Sequence, residues 1–301
     1  MIDWMKYRWL YFSISGVAIA IAVFSWSFWG PKYGVDFTGG TVIEYQFEEN
    51  ISTEEFSQVL DEKGVSVTSI QSTQNNSYIV KLPPITSDQK TAISNILKEK
   101  YDNRAVELRY ENVGPTIGPE LVKKTIYAIT ISAGAILLWV AYQFKSLKFG
   151  ASAVLAMFHD SVILLGSIAL LGHFYDAEVD FLYVTALLTT LSFSVHDTIV
   201  VYDRIRESQK SHPASIYETA NRAITETMVR SLNNSFTIVF MLLALLLLGG
   251  TTIKWFAATL LIGTVSGTYS SPFVAVPLLI TWEEISEVLK SKRFNLKILR
   301  R

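Results

Sequence analysis

The sequence predicts a polytopic α-helical membrane protein with six transmembrane helices and one α+β domain outside the membrane. Half of its 301 residues are hydrophobic and only 18% are charged. The apolar residues lie in blocks of about 20, which is the length that a helix needs to cross roughly 30 Å of hydrocarbon. One segment of about 90 residues has no such block and instead alternates strand and helix patterns.

The first predicted span lies within residues 1–30, with tryptophans at both ends that are typical of an interfacial belt. A cleaved signal peptide is disfavoured, because the apolar stretch exceeds the usual ~7–15 residues and has no small-residue cleavage site. Unpaired backbone amides are not tolerated in lipid, so all spans are expected to be helical. The other five are predicted at about residues 122–144, 149–171, 181–203, 231–248 and 255–281.

The distribution of Lys and Arg predicts the orientation. Positive charges cluster after the second and fourth spans and in the basic tail, residues 283–301, whereas the opposite short loops, 173–180 and 249–254, hold one. The positive-inside rule then places both termini in the cytoplasm. Residues 31–120 are expected outside, and residues 205–228 are expected to form an amphipathic loop along the cytoplasmic surface.

The outside segment has the pattern of a βαββαβ, ferredoxin-like domain. Strands rich in β-branched and aromatic residues are predicted at 41–47, 65–71, 78–82 and 105–110. Helices are predicted at 53–63 and 86–101, the first opened by a Ser52 or Thr53 cap and closed by Gly64.

Glycines mark both connections between this domain and the membrane. A phosphate-binding loop is disfavoured, since the run from Gly34 to Thr41 is followed by no lysine and fits no nucleotide fingerprint. Two interpretations stay open: a fixed linker that uses glycine where φ is positive, and a hinge. The candidate hinge residues are Gly34, Asp36, Gly39, Gly40, Gly114 and Pro115.

Charged residues within the predicted spans are the candidate functional residues. A charge at the centre of a span costs roughly 2.5–3.5 kcal/mol, so Asp160, Asp197 and Arg230 require an explanation. Helical spacing predicts one polar seam in which Asp197 faces Arg230 and carries a proton or ion step. The alternative is a buried polar cluster that only ties helices together. The supporting residues are His159, Thr190, Ser194, His196, Asn233 and Asn234. The sixth span adds a small-residue face that permits close helix approach: Gly263, Ser266, Gly267 and Ser270.

Several classes of function are excluded or disfavoured. The chain has no cysteine, which excludes disulfides and thiolate metal sites, and neither its net charge of −1 nor any basic patch suggests nucleic acid. His159–Asp160 and His196–Asp197 invite a metal site, but adjacent helical residues point about 100° apart. No nucleophile has a motif around it. We therefore expect no metal, no cofactor and no enzymatic activity.

Four stretches resemble the SecF proteins of the SecD/SecF family of bacterial protein export, within the resistance-nodulation-division superfamily. They are Gly34–Thr41, Phe158–Asp160, Asp197–Glu207 and Thr227–Ser231, and the resemblance covers essentially the whole chain. It implies a multi-pass protein of the bacterial cytoplasmic (inner) membrane that pairs with SecD and uses a proton or sodium gradient to promote export. It also implies the Sec translocon channel, its accessory membrane proteins and unfolded secretory polypeptide as partners, with Asp197 as coupling carboxylate and Arg230 as coupling arginine.

One residue departs from the family pattern. His196 stands where the family usually has Asn before the aspartate, and an imidazole titrates near neutrality whereas an amide does not. The identity of the coupled ion therefore stays open. Two other functions also stay open at this point: half of a small-molecule or lipid exporter of the same superfamily, and a structural scaffold of a membrane complex.

Overall fold

The structure is a computed structural model, and it describes residues 2–61, 65–73, 76–101, 104–114, 117–211 and 215–298. The helices are α1 (Arg8–Phe28), α2 (Val35–Thr38), α3 (Thr53–Asp61), α4 (Ser87–Lys100), α5 (Ile117–Phe144), α6 (Leu147–Tyr175), α7 (Phe181–Ser211), α8 (Ile216–Leu248), α9 (Thr251–Ser270) and α10 (Val276–Ile298). The strands are β1 (Lys32–Tyr33), β2 (Gly40–Phe47), β3 (Ser69–Ser72), β4 (Ser77–Leu82), β5 (Ala105–Val113) and β6 (Glu178–Val179). A 3-10 turn, Trp4–Tyr7, precedes α1, and a π-helical turn, Ser271–Ala275, separates α9 from α10.

The chain divides into two compact units. The sheet unit comprises residues 33–127 and 178–181, and the helical unit comprises residues 1–32, 128–177 and 182–301. Each unit has its own hydrophobic core.

A four-stranded antiparallel sheet organises the sheet unit. Its strand order is β3-β4-β2-β5, so β2 and β4 are central and β3 and β5 are the two edges. Along the chain, its elements alternate as strand, helix, strand, strand, helix, strand, from β2 to β5. Local signals start both helices: Ser52 Oγ accepts the N–H of Glu55 before α3, and Thr86 and Gln89 form a capping box at α4.

Aromatic rings fill the core of the sheet unit. Phe47, Phe56 and Tyr78 are at most 4% exposed and meet edge to face, with ring centroids 5.2–5.8 Å apart. Such pairs add ~0.5–1.5 kcal/mol beyond the burial of their area. The buried Tyr78 hydroxyl also accepts the N–H of Ile51 at 2.9 Å, which fixes the chain just before α3.

Five helices among the described residues are long and apolar enough to cross a membrane. They are Trp4–Phe28, Gly118–Phe144, Leu147–Tyr175, Phe181–Lys210 and Ile216–Leu248. In the helical unit, α6 packs extensively against α1 and α9. A Cβ added at Gly166 of α6 would lie 2.2 Å from Ala22 Cα of α1, so these two backbones touch only because glycine stands there.

The connector predicted at residues 205–228 is different in the structure. Helix α7 continues to Ser211, and α8 begins at Ile216, capped by Ser215, and runs without a break to Leu248. The reason lies in packing: Ala220, Ala223 and Ile224, the expected apolar side of a surface loop, are fully buried in the core cluster of the helical unit. At 33 residues, α8 is about 50 Å long and exceeds the roughly 30 Å of hydrocarbon.

Candidate functional site

Asp160 is buried near the middle of α6 and is only 2% exposed. Three serine hydroxyls donate hydrogen bonds to its carboxylate: Ser194 of α7 at 2.6 Å, and Ser266 and Ser270 of α9 at 2.7 Å each. Among the described residues, no Lys or Arg forms an ion pair with it. In each of these hydrogen bonds the serine is the donor and a carboxylate oxygen is the acceptor.

Glycines on α9 bring these serines within reach. A Cβ at Gly263 would lie 2.4 Å from Thr190 Cγ2, and one at Gly267 would lie 3.0 Å from Ser194 Cβ. Helices α7 and α9 therefore approach as closely as glycine allows. Ser266 and Ser270, four residues apart on α9, consequently project onto the same carboxylate. The predicted close approach of this small-residue face is confirmed in the geometry.

His159 lies beside Asp160 and is 6% exposed. Its Nδ1 is 3.0 Å from Asp160 Oδ1, and its ring lies 6.4 Å from that of Tyr269. Its Nε2 is also buried and has no hydrogen-bond partner among the described residues. An imidazole with one nitrogen on a carboxylate and the other unengaged has a site available to take up or release a proton.

Asp197 occupies a different environment, one helical turn from Ser194 on α7. Its Oδ2 accepts the Ser231 hydroxyl of α8 at 2.7 Å, and its side chain is 15% exposed. Together with Ser194, Asp197 lines a pocket of about 20 Å³, enough for one water molecule. The other lining residues are Phe193, His196, Asn234, Ser235, Ile238, Gly263, Thr264, Gly267 and Thr268.

The expected pairing of Asp197 with Arg230 is absent from the described part of the chain. Arg230 is exposed on α8, and Ser231, its neighbour, provides the hydrogen bond to Asp197 instead. Adjacent residues point about 100° apart on a helix, so Ser231 and Arg230 do not face α7 together. Asn233 and Asn234 are exposed on the same helix, and His196 is 71% exposed, with its Nδ1 3.9 Å from Asp197 Oδ1.

Thr190 contributes packing to the polar seam. It is 2% exposed, and its hydroxyl donates back to the Leu187 carbonyl at 2.9 Å. Its methyl group packs where Gly263 leaves room. A threonine hydroxyl bonded within its own helix is satisfied locally and adds no donor to the carboxylate.

A second layer of hydroxyls follows the π-helical turn. Ser271 donates to the Ser194 carbonyl at 3.1 Å and lies 3.0 Å from Thr198 Oγ1. Buried Tyr202 donates to the Ala275 carbonyl at 3.1 Å. Pro272 has no N–H to give to the preceding turn, so side-chain hydroxyls satisfy backbone groups there.

The glycine-rich segment of the sheet unit is held by hydrogen bonds. Gly39 and Gly40 have φ of 75° and 139°, as expected for glycine at positive φ. Gly34 donates its N–H to the Val179 carbonyl, and Asp36 accepts the N–H of Phe181 at 2.8 Å. Gly114 follows β5, and Pro115 lies outside the described residues.

Sequence reasoning missed the role of several hydroxyls. Ser266 and Ser270 were assigned to helix approach, whereas they also bind Asp160, and Ser231 and Tyr202 were not singled out. The signal was present in the i, i+4 spacing of Ser266 and Ser270, which places both hydroxyls on one face of α9. Within the described ranges, no three His, Cys, Asp or Glu residues are grouped so as to hold a metal ion.

Comparisons with known proteins agree on one family. Residues 92–285 match the family described as protein export membrane protein SecD/SecF, C-terminal, and residues 24–51 match the SecD/SecF GG motif. The chain is 39% identical to a protein translocase subunit SecF of Thermobaculum terrenum, with 94% of each chain covered. It is 36% identical to a protein translocase subunit SecDF of Thermus thermophilus, covering 84% of this chain and 35% of that protein.

A solved structure gives the same result in three dimensions. The crystal structure of SecDF, a translocon-associated membrane protein from Thermus thermophilus, superposes with a TM-score of 0.82 at 34% identity. The match covers 94% of this chain and 39% of that one, so the chain corresponds to part of SecDF. With its apolar helices, this multi-pass membrane chain belongs to the SecD/SecF family, as a SecF-type subunit of the Sec protein translocase.

Proposed function

We propose that this subunit couples the proton or sodium gradient to polypeptide export through two carboxylates, Asp160 and Asp197. One observation carries the proposal: Asp160 is buried in a membrane helix and accepts three hydroxyl groups, and no Lys or Arg among the described residues pairs with it. An unpaired buried charge is expensive, so such a group is suited to changing its charge during a cycle.

Ser194 connects the two carboxylates. Its hydroxyl donates to Asp160, and the same residue lines the water-sized pocket beside Asp197. A proton or small cation that reaches the pocket is therefore one hydroxyl away from Asp160. Ser194 binds Asp160 Oδ2, and His159 contacts the other oxygen, Oδ1, while its own Nε2 has no partner among the described residues.

The proposed architecture has six spans with both termini in the cytoplasm. The sixth span begins with α9, 20 residues long, and continues through the π-helical turn into α10. The sheet unit lies outside as a ferredoxin-like domain, a proposal supported by the antiparallel strand order β3-β4-β2-β5. The asymmetry of Lys and Arg between loops supports the orientation.

SecD is the proposed partner within the membrane. The relatives that carry SecD and SecF in one chain support it, as does helix α8. Arg230, Asn233 and Asn234 are exposed on α8 next to Phe236 and Phe240, and polar groups at membrane depth require a protein neighbour. In this arrangement Arg230 serves the partner interface. The other proposed partners are the translocon channel, its accessory membrane proteins and unfolded secretory polypeptide.

The test is conservative removal of each charge. Asp160→Asn and Asp197→Asn keep the shape of the side chain, and Asp203→Asn is the matched control, because Asp203 pairs with Arg206 near the end of α7. We expect gradient-dependent export to fall to the level of membranes lacking the protein in the first two variants and to stay at the parent level in the control. Co-purification of SecD shows that each variant still assembles. Export at the parent rate by both Asn variants would reduce the seam to a structural scaffold.

A further inference from the structure

The two edges of the sheet in the sheet unit differ in chemistry. Natural proteins protect exposed edge strands with charges, bulges or proline, because unpaired N–H and C=O groups would otherwise pair with another chain. Edge strand β5 has such protection: Glu107, Arg109 and Glu111 lie along it, and its register against β2 shifts between Glu44 and Tyr45. All three charges form ion pairs, Glu107 with Lys90 and Arg109 with Glu111.

The opposite edge, β3, carries neither charges nor proline. Residues 65–73 contain no charged residue and no proline. The ladder to β4 is regular from Ser69 to Ser72, and just after it Thr73 donates its N–H to the Ser77 carbonyl. Just before it, Thr68 donates to the carbonyl of Lys81, the residue that Ser69 faces, so the pairing is irregular at that end. Successive N–H groups of a strand point alternately toward and away from the neighbouring strand. Since the N–H of Thr73 points to β4, those of Ser72 and Ile70 point away from it.

A groove runs beside this edge. It lies between helix α3 and β3, has a volume of about 410 Å³, and is lined by Thr53, Glu54, Ser57, Gln58 and residues 67–70. An edge strand with a helix alongside is the geometry in which an extended peptide adds a strand to a sheet. Helix α3 carries Glu54, Glu55 and Asp61 and no basic residue, which favours segments that hold Lys or Arg.

We infer that the β3 edge and the α3 groove bind an extended segment of unfolded polypeptide by strand addition. This inference rests on the export function proposed above and names the surface that holds the polypeptide. Main-chain hydrogen bonds supply the affinity in strand addition, and they are the same for every sequence. A translocase subunit handles many sequences, so recognition of backbone fits its task better than a deep side-chain pocket.

The first experiment measures peptide binding to the full chain in lipid nanodiscs. The probe is a fluorescent peptide of alternating Val and Thr with a Lys at each end, and its control is a fully N-methylated peptide with the same side chains. We expect saturable binding of the first by fluorescence anisotropy, absent from empty nanodiscs, and at least tenfold weaker binding of the second. Equal binding of both peptides would overturn strand addition.

Substitutions at the two edges locate the site. Ser72→Pro removes an outward N–H at an exposed position, and Thr68→Lys adds the charge that blocks an edge. Both should weaken binding at least fivefold, whereas Ser72→Val and Leu108→Lys on the β5 edge should stay within twofold of the parent. Loss of binding in Leu108→Lys alone, or parent affinity in Ser72→Pro, would contradict the assignment.

Co-purification of SecD tests whether the β3 edge binds the SecD partner instead of a peptide. If Ser72→Pro lowers the amount of SecD that co-purifies while peptide affinity is unchanged, the edge belongs to the subunit interface and the inference is wrong. Peptide binding needs no gradient, so it is independent of the Asp160 and Asp197 tests. If peptide binds at β3 while both Asn variants export at the parent rate, ion coupling is refuted and the peptide-binding inference stands.

Discussion

Both units have an apolar core, but they differ in the other contacts that hold their interiors together. The sheet unit buries aromatic rings, with Phe47 meeting Phe56, Tyr78 and Tyr101 at 5.0–5.5 Å. The helical unit buries a carboxylate and the hydroxyls that surround it. Apolar burial stabilises a fold without directional requirements, whereas a buried carboxylate is tolerated only with its hydrogen bonds in place. We expect volume changes to dominate in the sheet unit and loss of single contacts to matter in the helical unit.

The largest expected effect is the loss of a ring from the sheet unit. Phe56→Ala removes a fully buried ring from the aromatic core and should destabilise that unit by ~3–5 kcal/mol. All seven tryptophans lie in the helical unit, so their fluorescence should not report this change. Hydrogen exchange at β2 and β4 measures the loss, and Phe56→Leu is the milder control. A parallel shift in tryptophan fluorescence would show that the units do not unfold separately.

The next effect tests close packing in the helical unit. Gly263→Ala places a Cβ 2.4 Å from Thr190 Cγ2, so α7 and α9 must separate, at a cost of ~1–3 kcal/mol. Gly134→Ala is the matched control, because nothing lies within 4 Å of a Cβ there. Thermal unfolding in detergent should distinguish the two. Equal melting temperatures would mean that the helices are not held at the distance that places Ser266 and Ser270 on Asp160.

The sequence predicts the elements of both units better than their contacts. Apolar blocks predict helices because a span must satisfy its own backbone, and the strands follow from β-branched and aromatic runs between polar turns. The ends are less predictable. A local signal does mark the start of α8, since the Ser215 hydroxyl accepts the N–H of Glu218. What no local pattern shows is that Ala220, Ala223 and Ile224 have a core to pack against, which makes this segment part of the bundle. The π-helical turn at Pro272 is a second example. Two hydroxyls bond its backbone carbonyls: Tyr202 of α7 donates to Ala275, and Ser271 of the turn itself donates to Gly267.

The candidate site shows the same limit. Helical periodicity places Thr190, Ser194 and Asp197 on one side of α7, and the structure brings Ser194 to Asp160. Helical periodicity does not show which neighbouring helix a given side faces. The predicted contact between Arg230 and Asp197 is wrong for that reason. Adjacent residues point about 100° apart, so a small rotation of α8 about its axis places Ser231 instead of Arg230 opposite Asp197.

A smaller effect is expected from removal of one hydroxyl. Ser270→Ala takes one donor from Asp160 Oδ2, which still receives the Ser194 hydroxyl. The expected loss is ~0.5–1.5 kcal/mol of stability. Thr259→Ala is the control, because its hydroxyl donates only to its own helix at Trp255. Ser270→Ala should slow gradient-dependent export while Thr259→Ala leaves it near the parent rate, and identical export rates would separate Ser270 from the function of Asp160.

The smallest effect appears only at high pH and lies in the sheet unit. Burial raises the pKa of Tyr101 to about 12, with a further contribution from the charge of Glu55. The unfolded tyrosine has its ordinary pKa near 10, so between about pH 10 and 12 the folded unit retains a proton that the unfolded chain loses. Stability present below pH 10 should therefore fall as the pH rises through this window.

Tyr101→Phe tests this argument at two pH values. The Tyr101 hydroxyl is buried and has no hydrogen-bond partner among the described residues, so its removal should leave stability at pH 7 unchanged or slightly higher. Above pH 10 the variant should lose less stability than the parent, as measured by hydrogen exchange at β2 and β4. Because exchange itself accelerates with pH, parent and variant are compared at each pH. The same alkaline loss in both would show that Tyr101 does not set the pH limit, and a loss at pH 7 would show that its hydroxyl is bonded after all.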